Sequence, residues 1–394
     1  IPFQSTAEES DDGNVMEEIV VTSTYRDTKL MDTPVSISAV TEELMKNTGA
    51  QNMEGLFTMI PGLNMTGGGT GSKGQNRYTI RGISSQSGDI GYAPVSGTVA
   101  VFIDGTPVTS QLGPDNQISG TLFDIDRVEV LKGPQGTLFG DSSQGGTIRY
   151  IYKKPDASGF DAAINVGFAS MSESDDDSTR VDAMINIPIN DNLAFRLTAW
   201  DSETAGFIDN LTPVEDDYNT GQSSGVRAAL RYEGETWSVM GSWHHTEQET
   251  EGGDATFEAY TNLSNRLPSL PPQSVDEVDI YSLVIEKDFG WATLHSLTSY
   301  LDRTVDRVSE GTANGTSLLD FFYFGATEAA DHEGCEAAAL VGLAFGIPGL
   351  CPNWPGIFNF SGPNFTPDGR NVLAISGVND FYTEQWVQEF RLVS

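Results

Sequence analysis

From residue 157 onward the sequence repeats one physical pattern: short runs alternate apolar with polar side chains, and the connections between them alternate short with long. In 179–187, Val181, Ala183, Ile185 and Ile187 share one face, opposite Arg180, Asp182 and Asn186. In 193–200, Leu193, Phe195, Leu197 and Ala199 alternate with Arg196 and Thr198; in 226–232, Val226, Ala228, Leu230 and Tyr232 alternate with Arg227 and Arg231. Successive side chains of a strand point to opposite faces, so each run has an apolar face and a charged one. A membrane β-barrel with a polar lumen satisfies this, and so does a half-wet soluble sandwich. The connections separate the two. Eight strands are expected near 160–170, 179–188, 193–202, 223–233, 236–247, 277–288, 290–303 and 382–394. The intervening connections then have roughly 8, 4, 20, 2, 29, 1 and 78 residues. A barrel with tight turns on one rim and long loops on the other alternates in this way; a sandwich has no reason to.

Composition narrows the classes further. The 394 residues carry 56 acidic and 21 basic side chains, a formal charge of −35, which argues against a nucleic-acid partner because that needs a positive footprint. With 38% hydrophobic residues the chain can bury a core despite 42 glycines. No apolar window is long enough for a helical membrane span; the nearest, residues 337–350, is short and broken by Gly and Pro. Residue 1 is Ile rather than Met, which fits a removed export signal.

Residues 1–156 read differently. Residues 1–16 form a polar, acidic tail, followed by the β-branched "EEIVVTS" (17–23). Thr41 is placed to cap a helix over "EELMKNT", with Glu42 and Glu43 favourable to its dipole and Gly49 ending it. A second helix over 53–60 stops at Pro61-Gly62. Strands are expected over 77–82, 98–108, 127–133 and 146–154, giving a small α+β unit. Between the last two lies "GPQGTLFGDSSQGG", where Gly133, Gly136, Gly140, Gly145 and Gly146 supply tight turns rather than a phosphate cradle. "GTGSKG" (69–74) fits G-x-G-x-x-G but precedes a strand and opens no helix, so a dinucleotide site is not expected. His244 and His245 are adjacent on a strand and point to opposite faces, so they cannot chelate one ion together. Asp175–Asp177 reads as a solvated turn, with calcium as the alternative. No serine–histidine–acid pattern stands out. No catalysis, cofactor or resident metal is expected.

The blocks "EEIVVTS" (17–23), "TPVSISAVTEE" (33–43), "IPGLN" (60–64), "IRGI" (80–83), "VFIDGTPV" (101–108) and "DRVEVLKGPQGTLFGDSSQGGTIRYIYKKP" (126–155) closely resemble, in order, the plug domain of TonB-dependent outer-membrane receptors. "QEFRL" (388–392) resembles a recurrent barrel-strand signature of that family. The resemblance implies a flexible tail (1–16), an α+β plug (17–156) and antiparallel transmembrane barrel strands with long extracellular loops (157–394). Eight strands close around only side chains, whereas plugged outer-membrane transporters use about 22, so a partial barrel is expected, its remaining strands outside this chain.

The implied function is TonB-dependent active import of a scarce solute across the bacterial outer membrane, the ligand being a siderophore, vitamin, saccharide or similar. The alternative is a surface receptor or signal transducer without net transport. Implied partners are TonB with the ExbB/ExbD inner-membrane motor, and outer-membrane lipid with lipopolysaccharide. Glu17, Glu18, Ile19, Val20, Val21, Thr22 and Ser23 would form the TonB box, pairing with TonB as an added strand. Arg81 and Lys132 match family positions where basic plug residues face barrel acids; Glu389 is the barrel candidate for this latch, and pairing of Arg81 with Glu129 inside the plug is the competing arrangement. Tyr92, Phe321, Phe322, Tyr323 and Trp354 are the aromatic ligand-contact candidates, since aromatics give large contact area at low entropic cost. Cys335 and Cys351 share the longest loop, on the oxidising side of the membrane, where a disulfide persists and would stabilise by roughly 3 kcal/mol. A metal site with His332 is the rival there.

Overall fold

Runs rich in Val, Ile and aromatic residues become strands here, and Asp-Gly and Gly-rich turns between them set the topology. The computed structural model of the chain describes residues 20–22, 28–49, 53–67, 76–83, 97–109, 118, 120–172, 174–211, 214–252, 264–265, 273–310, 364–365, 371–372 and 376–394.

Strand β1 (Val20–Val21) pairs antiparallel with β2 (Thr28–Lys29), and a 3-10 turn (Leu30–Asp32) leads to β3 (Ile37–Thr41). Helix α1 (Glu42–Thr48) starts where its cap residue lies: the Thr41 hydroxyl accepts from the Leu44 N–H, and Gly49 ends the helix at φ 72°. Helix α2 (Met53–Met59) leads into the hairpin of β4 (Leu63–Gly67) and β5 (Asn76–Ile80). Strands β6 (Val99–Ile103) and β7 (Thr106–Pro107) are joined by Asp104-Gly105, both at positive φ (46° and 87°), as a tight primed turn requires. Strand β8 (Ile125–Lys132), helix α3 (Gly136–Phe139) and β9 (Gly146–Tyr152) complete this part. The sheet order is β3-β8-β9-β6-β7, with β6 and β9 parallel and the other pairs antiparallel.

The rest is a meander of eight long antiparallel strands: β10 (Asp161–Ser170), β11 (Asp177–Asn190), β12 (Leu193–Thr204), β15 (Gly221–Glu233), β16 (Trp237–Glu251), β18 (Gln273–Asp288), β19 (Thr293–Glu310) and β22 (Ser376–Val393). Among the described residues, five short strands sit in the connections. Of these, β13 (Asp209–Leu211) pairs with β14 (Val214–Glu215) and, from the next connection, with β17 (Ser264–Asn265). Strands β20 (Asn364–Phe365) and β21 (Asn371–Val372) pair with each other. Tight turns at 191–192, 234–236 and 289–292 alternate with the longer 171–176, 205–220, 252–272 and 311–375, as the sequence predicts. The sheet does not close: β10 and β22 are its two edges.

Burial settles which face is which. In β11, Asp182, Met184 and Asn186 are buried while Val181 and Ile187 are exposed. In β12, Arg196 and Thr198 are buried; in β15, Arg227 is 2% exposed but Leu230 is 45% exposed. A soluble sandwich would bury the apolar face. Here the polar face is covered and the apolar face is left outward, where hydrocarbon would meet it. The covering layer is built from the described residues between 20 and 156, whose core (Val40, Leu56, Ile80, Val101, Val128, Ile148 and others) continues into Val278, Ile280 and Leu301 of the wall.

Candidate functional site

Alternation along β8 puts Arg127 and Glu129 on one face, and register with β9 sets Arg149 opposite Glu129. Glu129 is fully buried. Its Oε1 accepts from Arg127 Nε at 2.8 Å and from the Thr22 backbone N–H at 2.9 Å; its Oε2 accepts from Arg149 Nη1 at 2.6 Å. The Thr22 hydroxyl accepts from Arg149 Nη1 at 3.0 Å and from Arg127 Nη2 at 3.3 Å. The Arg149 guanidinium lies 5.5 Å from the Phe139 ring centroid, and Asp126 pairs with Arg127 at the exposed end. A buried charge must be paired and hydrogen-bonded, and part of that requirement is met by Thr22, more than 100 residues away in sequence. The neighbouring Val21 is fully buried while Val20 is 44% exposed.

A second set of charges joins this unit to the wall. Asp124, at φ 58°, accepts from Arg196 Nε at 2.8 Å, from Arg196 Nη2 and from the Thr198 hydroxyl at 2.7 Å. Asp104, in the β6–β7 turn, accepts from Arg227 Nη2 at 2.9 Å through Oδ2 and from the Tyr152 N–H at 2.9 Å through Oδ1. Arg227 also donates to the Lys153 carbonyl at 3.2 Å and lies 5.1 Å from the Tyr152 ring centroid. His244, on the same wall face, packs between Tyr152 and Trp200, and Asn186 binds the backbone of Asp156 and Gly159. Desolvation, the Asp104 charge and lesser contributions push the Tyr152 phenol well above its ordinary range. This interface places acids on the inner unit and arginines on the wall.

The expected latch residues are placed as follows. Arg81, at φ 52°, donates to the Ser36 hydroxyl at 2.6 Å, and the Lys132 N–H donates to the Ser36 carbonyl at 2.8 Å. Burial, and secondarily the Arg81 charge, lower the Lys132 pKa. Glu389 pairs with Arg391 on the inward face of β22, opposite the exposed Trp386, Phe390 and Leu392. Among the described residues no ion pair joins Arg81 or Lys132 to Glu389, and the partners of Glu129 are Arg127, Arg149 and Thr22 rather than Arg81. The structure instead brings together Thr22 and Glu129, which the sequence lists under separate roles. Asp104, Asp124, Arg196 and Arg227 were missed as an interface. The arginines were visible as the polar face of their strands, but Asp104 reads only as a turn residue.

Glu17, Glu18, Ile19, Ser23, Tyr92, Phe321, Phe322, Tyr323, His332, Cys335, Cys351 and Trp354 lie outside the described residues. The Asp175 N–H donates to Asp217 at 2.7 Å, stitching that turn to the next connection. Among the described residues, His245, Glu277 and Asp279 bring metal-type ligand atoms within 4.8 Å of one another. They sit on the outward face, where Asp279 is already satisfied by Trp243 Nε1 at 2.7 Å and His245 Nδ1 at 3.2 Å.

Residues 29–147 match the TonB-dependent Receptor Plug Domain family. Over this region the chain is similar to the TonB-dependent receptors. A ferric enterobactin receptor of Pseudomonas aeruginosa is 22% identical over 337 residues, covering 77% of this chain and 43% of that one. The catecholate siderophore receptor Fiu of Escherichia coli is 29% identical over 175 residues, 44% of this chain and 20% of its own length. The crystal structure of the ferric yersiniabactin uptake receptor FyuA from Yersinia pestis shares the fold, with a TM-score of 0.60 at 23% identity over 70% of this chain and 42% of that one. The chain spans less than half the length of these relatives. The plug-domain match makes the five-stranded unit the plug, and the fold shared with FyuA makes the open sheet part of a barrel, so Arg196–Asp124 and Arg227–Asp104 are plug-to-barrel contacts.

Proposed function

We propose that this receptor takes part in TonB-dependent import of a ferric siderophore, with residues 1–16 as tail, 17–156 as plug and 157–394 as barrel. The observation that supports it most is the pair of buried arginine–aspartate contacts across the plug–barrel interface. A lumen filled and bonded in this way passes a solute only when the plug moves, which calls for an external source of force. TonB, energised by ExbB/ExbD, supplies that force through residues 17–23. The two-residue pairing of β1 leaves this segment suited to strand addition by a partner. The names of the relatives, ferric enterobactin receptor and catecholate siderophore receptor, favour an iron-loaded catecholate as cargo. Tyr92, Phe321, Phe322, Tyr323 and Trp354 are the proposed contacts for it, and Cys335–Cys351 the proposed bridge in the loop above. The Arg81–Lys132 pair remains the proposed plug side of a second latch toward Glu389.

Uptake of iron-55 enterobactin by cells carrying the full-length receptor tests this reading. Accumulation should require both the receptor and TonB. Equal uptake without TonB, or rapid swelling of liposomes holding the purified receptor, would overturn active import. TonB-dependent uptake of another solute class with no binding of the catecholate would overturn the cargo alone.

A further inference from the structure

Within the proposed TonB-binding segment, the described part is held by few interactions. Strand β1 makes two rungs with β2, Val20↔Lys29 and Val21↔Thr28, and one side chain, Val21, is buried. The remaining attachment is Thr22, whose N–H and hydroxyl enter the Glu129–Arg127–Arg149 cluster. The cluster is built for a polar guest. Two guanidinium groups aim donors at one hydroxyl oxygen, and the carboxylate between them offers the acceptor that the Thr22 N–H uses. The Arg127–Glu129 and Arg149–Glu129 bonds do not depend on Thr22 and can persist when it leaves, with water taking the positions it vacates.

We propose that Glu129, gripped by Arg127 and Arg149, is the clasp that holds Thr22 and thereby parks the TonB-binding segment on the plug, and that detaching Thr22 from it is the step by which the segment becomes available. This rests on reading residues 17–23 as the TonB-binding segment. Glu129 is a positioning residue: it acts through Thr22 and touches no cargo. The charges make the grip directional, since a segment drawn away along its own axis loses the N–H and hydroxyl bonds together while the ion cluster stays behind. Phe139, under Arg149, fixes the guanidinium and couples the clasp to the "GTLFG" turn of the plug.

Hydrogen–deuterium exchange on the full receptor in detergent, with and without the purified periplasmic part of TonB, tests the clasp. Thr22→Val removes the hydroxyl and leaves the buried ion cluster whole; Glu129→Gln removes the charge that accepts the Thr22 N–H. Exchange in the peptide containing residues 20–22 should rise about tenfold in Thr22→Val, the factor one net hydrogen bond carries, and further in Glu129→Gln. Peptides from β8 and β9 should stay protected in Thr22→Val, which a purely structural role of the cluster would not separate. Unchanged exchange at 20–22 in Thr22→Val overturns the clasp, whether or not Glu129→Gln folds. Faster exchange with no gain in TonB binding keeps the clasp and rejects the TonB-binding reading of the segment. Faster exchange with tighter TonB binding supports both.

Discussion

Gly146 shows how one residue fixes the plug. It lies at φ 156°, and a Cβ there would stand 2.3 Å from the Leu131 carbonyl oxygen and 2.6 Å from Ile80 Cδ1. Neither the β8 backbone nor the packed isoleucine can yield cheaply, so Gly146→Ala should cost more than about 3 kcal/mol, the range of forced overpacking. Gly133→Ala meets no atom within 4 Å and carries only the strain of φ 110°, so it should cost about 1–2 kcal/mol. Urea-dependent proteolysis of the plug within the full chain ranks the two; equal midpoints would refute the contact argument. The glycine-rich run was legible as turn chemistry, and Gly133, Gly140 and Gly146 do take left-handed φ. Gly136 opens α3, and Gly145 is kept small by Ile83, which no local pattern announces. The same limit hid Asp104 and Asp124. Their partners lie 123 and 72 residues away, and a single sequence carries no signal linking them.

At the scale of elements, α1 behaves as its sequence dictates, with a threonine cap, two acids in its first turn and a left-handed glycine at its end. Thr41→Ala should cost about 1 kcal/mol, the usual worth of such a cap, measured by thermal unfolding of the full chain. Glu42 also bridges to Lys153 and Lys46, tying the helix to the chain just past β9. Burial works to raise its pKa, but hydrogen bonds and charge from Lys153 and Lys46 outweigh it and hold the carboxyl below its ordinary 4.5. The unfolded chain therefore takes up this proton first on acidification. The contribution is fully present above pH 4.5 and fades as pH falls through the lower folded value. Glu42→Gln should be destabilising by under about 1 kcal/mol at pH 7, since the pair is partly exposed. The gap to wild type should narrow below pH 4.5; a constant gap down to pH 3 would assign the effect to packing. Elements of this kind were legible because caps, turns and alternation are local. The long sheet was legible for the same reason, although its strands extend a few residues beyond their predicted ends on the long-loop side, as with β18 beginning at Gln273. Pairing with neighbours in that extension outweighs the weak local pattern there.

For the whole molecule, the deciding fact is the inversion of the sheet: Arg196, Arg227 and Arg303 lie inward, while Leu230, Leu283, Tyr281, Trp386 and Phe390 lie outward. The plug is what makes the inward face tenable, because Asp124 and Asp104 supply the countercharges that Arg196 and Arg227 need. Removing one partner of such a buried pair leaves an uncompensated charge and costs about 3–5 kcal/mol, whereas removing both costs much less. Asp124→Asn and Arg196→Gln should therefore each weaken plug seating, and the double variant should recover part of the loss. The readout at this scale is leakage through the lumen. Cells carrying either single variant should become more sensitive to antibiotics normally kept out by the outer membrane, and the double variant should fall between them and wild type. Outward-facing Leu230→Arg serves as the contrast. It should reduce assembly by about 2–4 kcal/mol if that position sits at mid-membrane, with no plug-specific leakage in the receptors that do assemble. If the double variant instead leaks more than either single variant, by about the sum of the two, the aspartate and arginine act separately, and seating of the plug must rest on the shared apolar core of Val278, Ile280 and Leu301 instead.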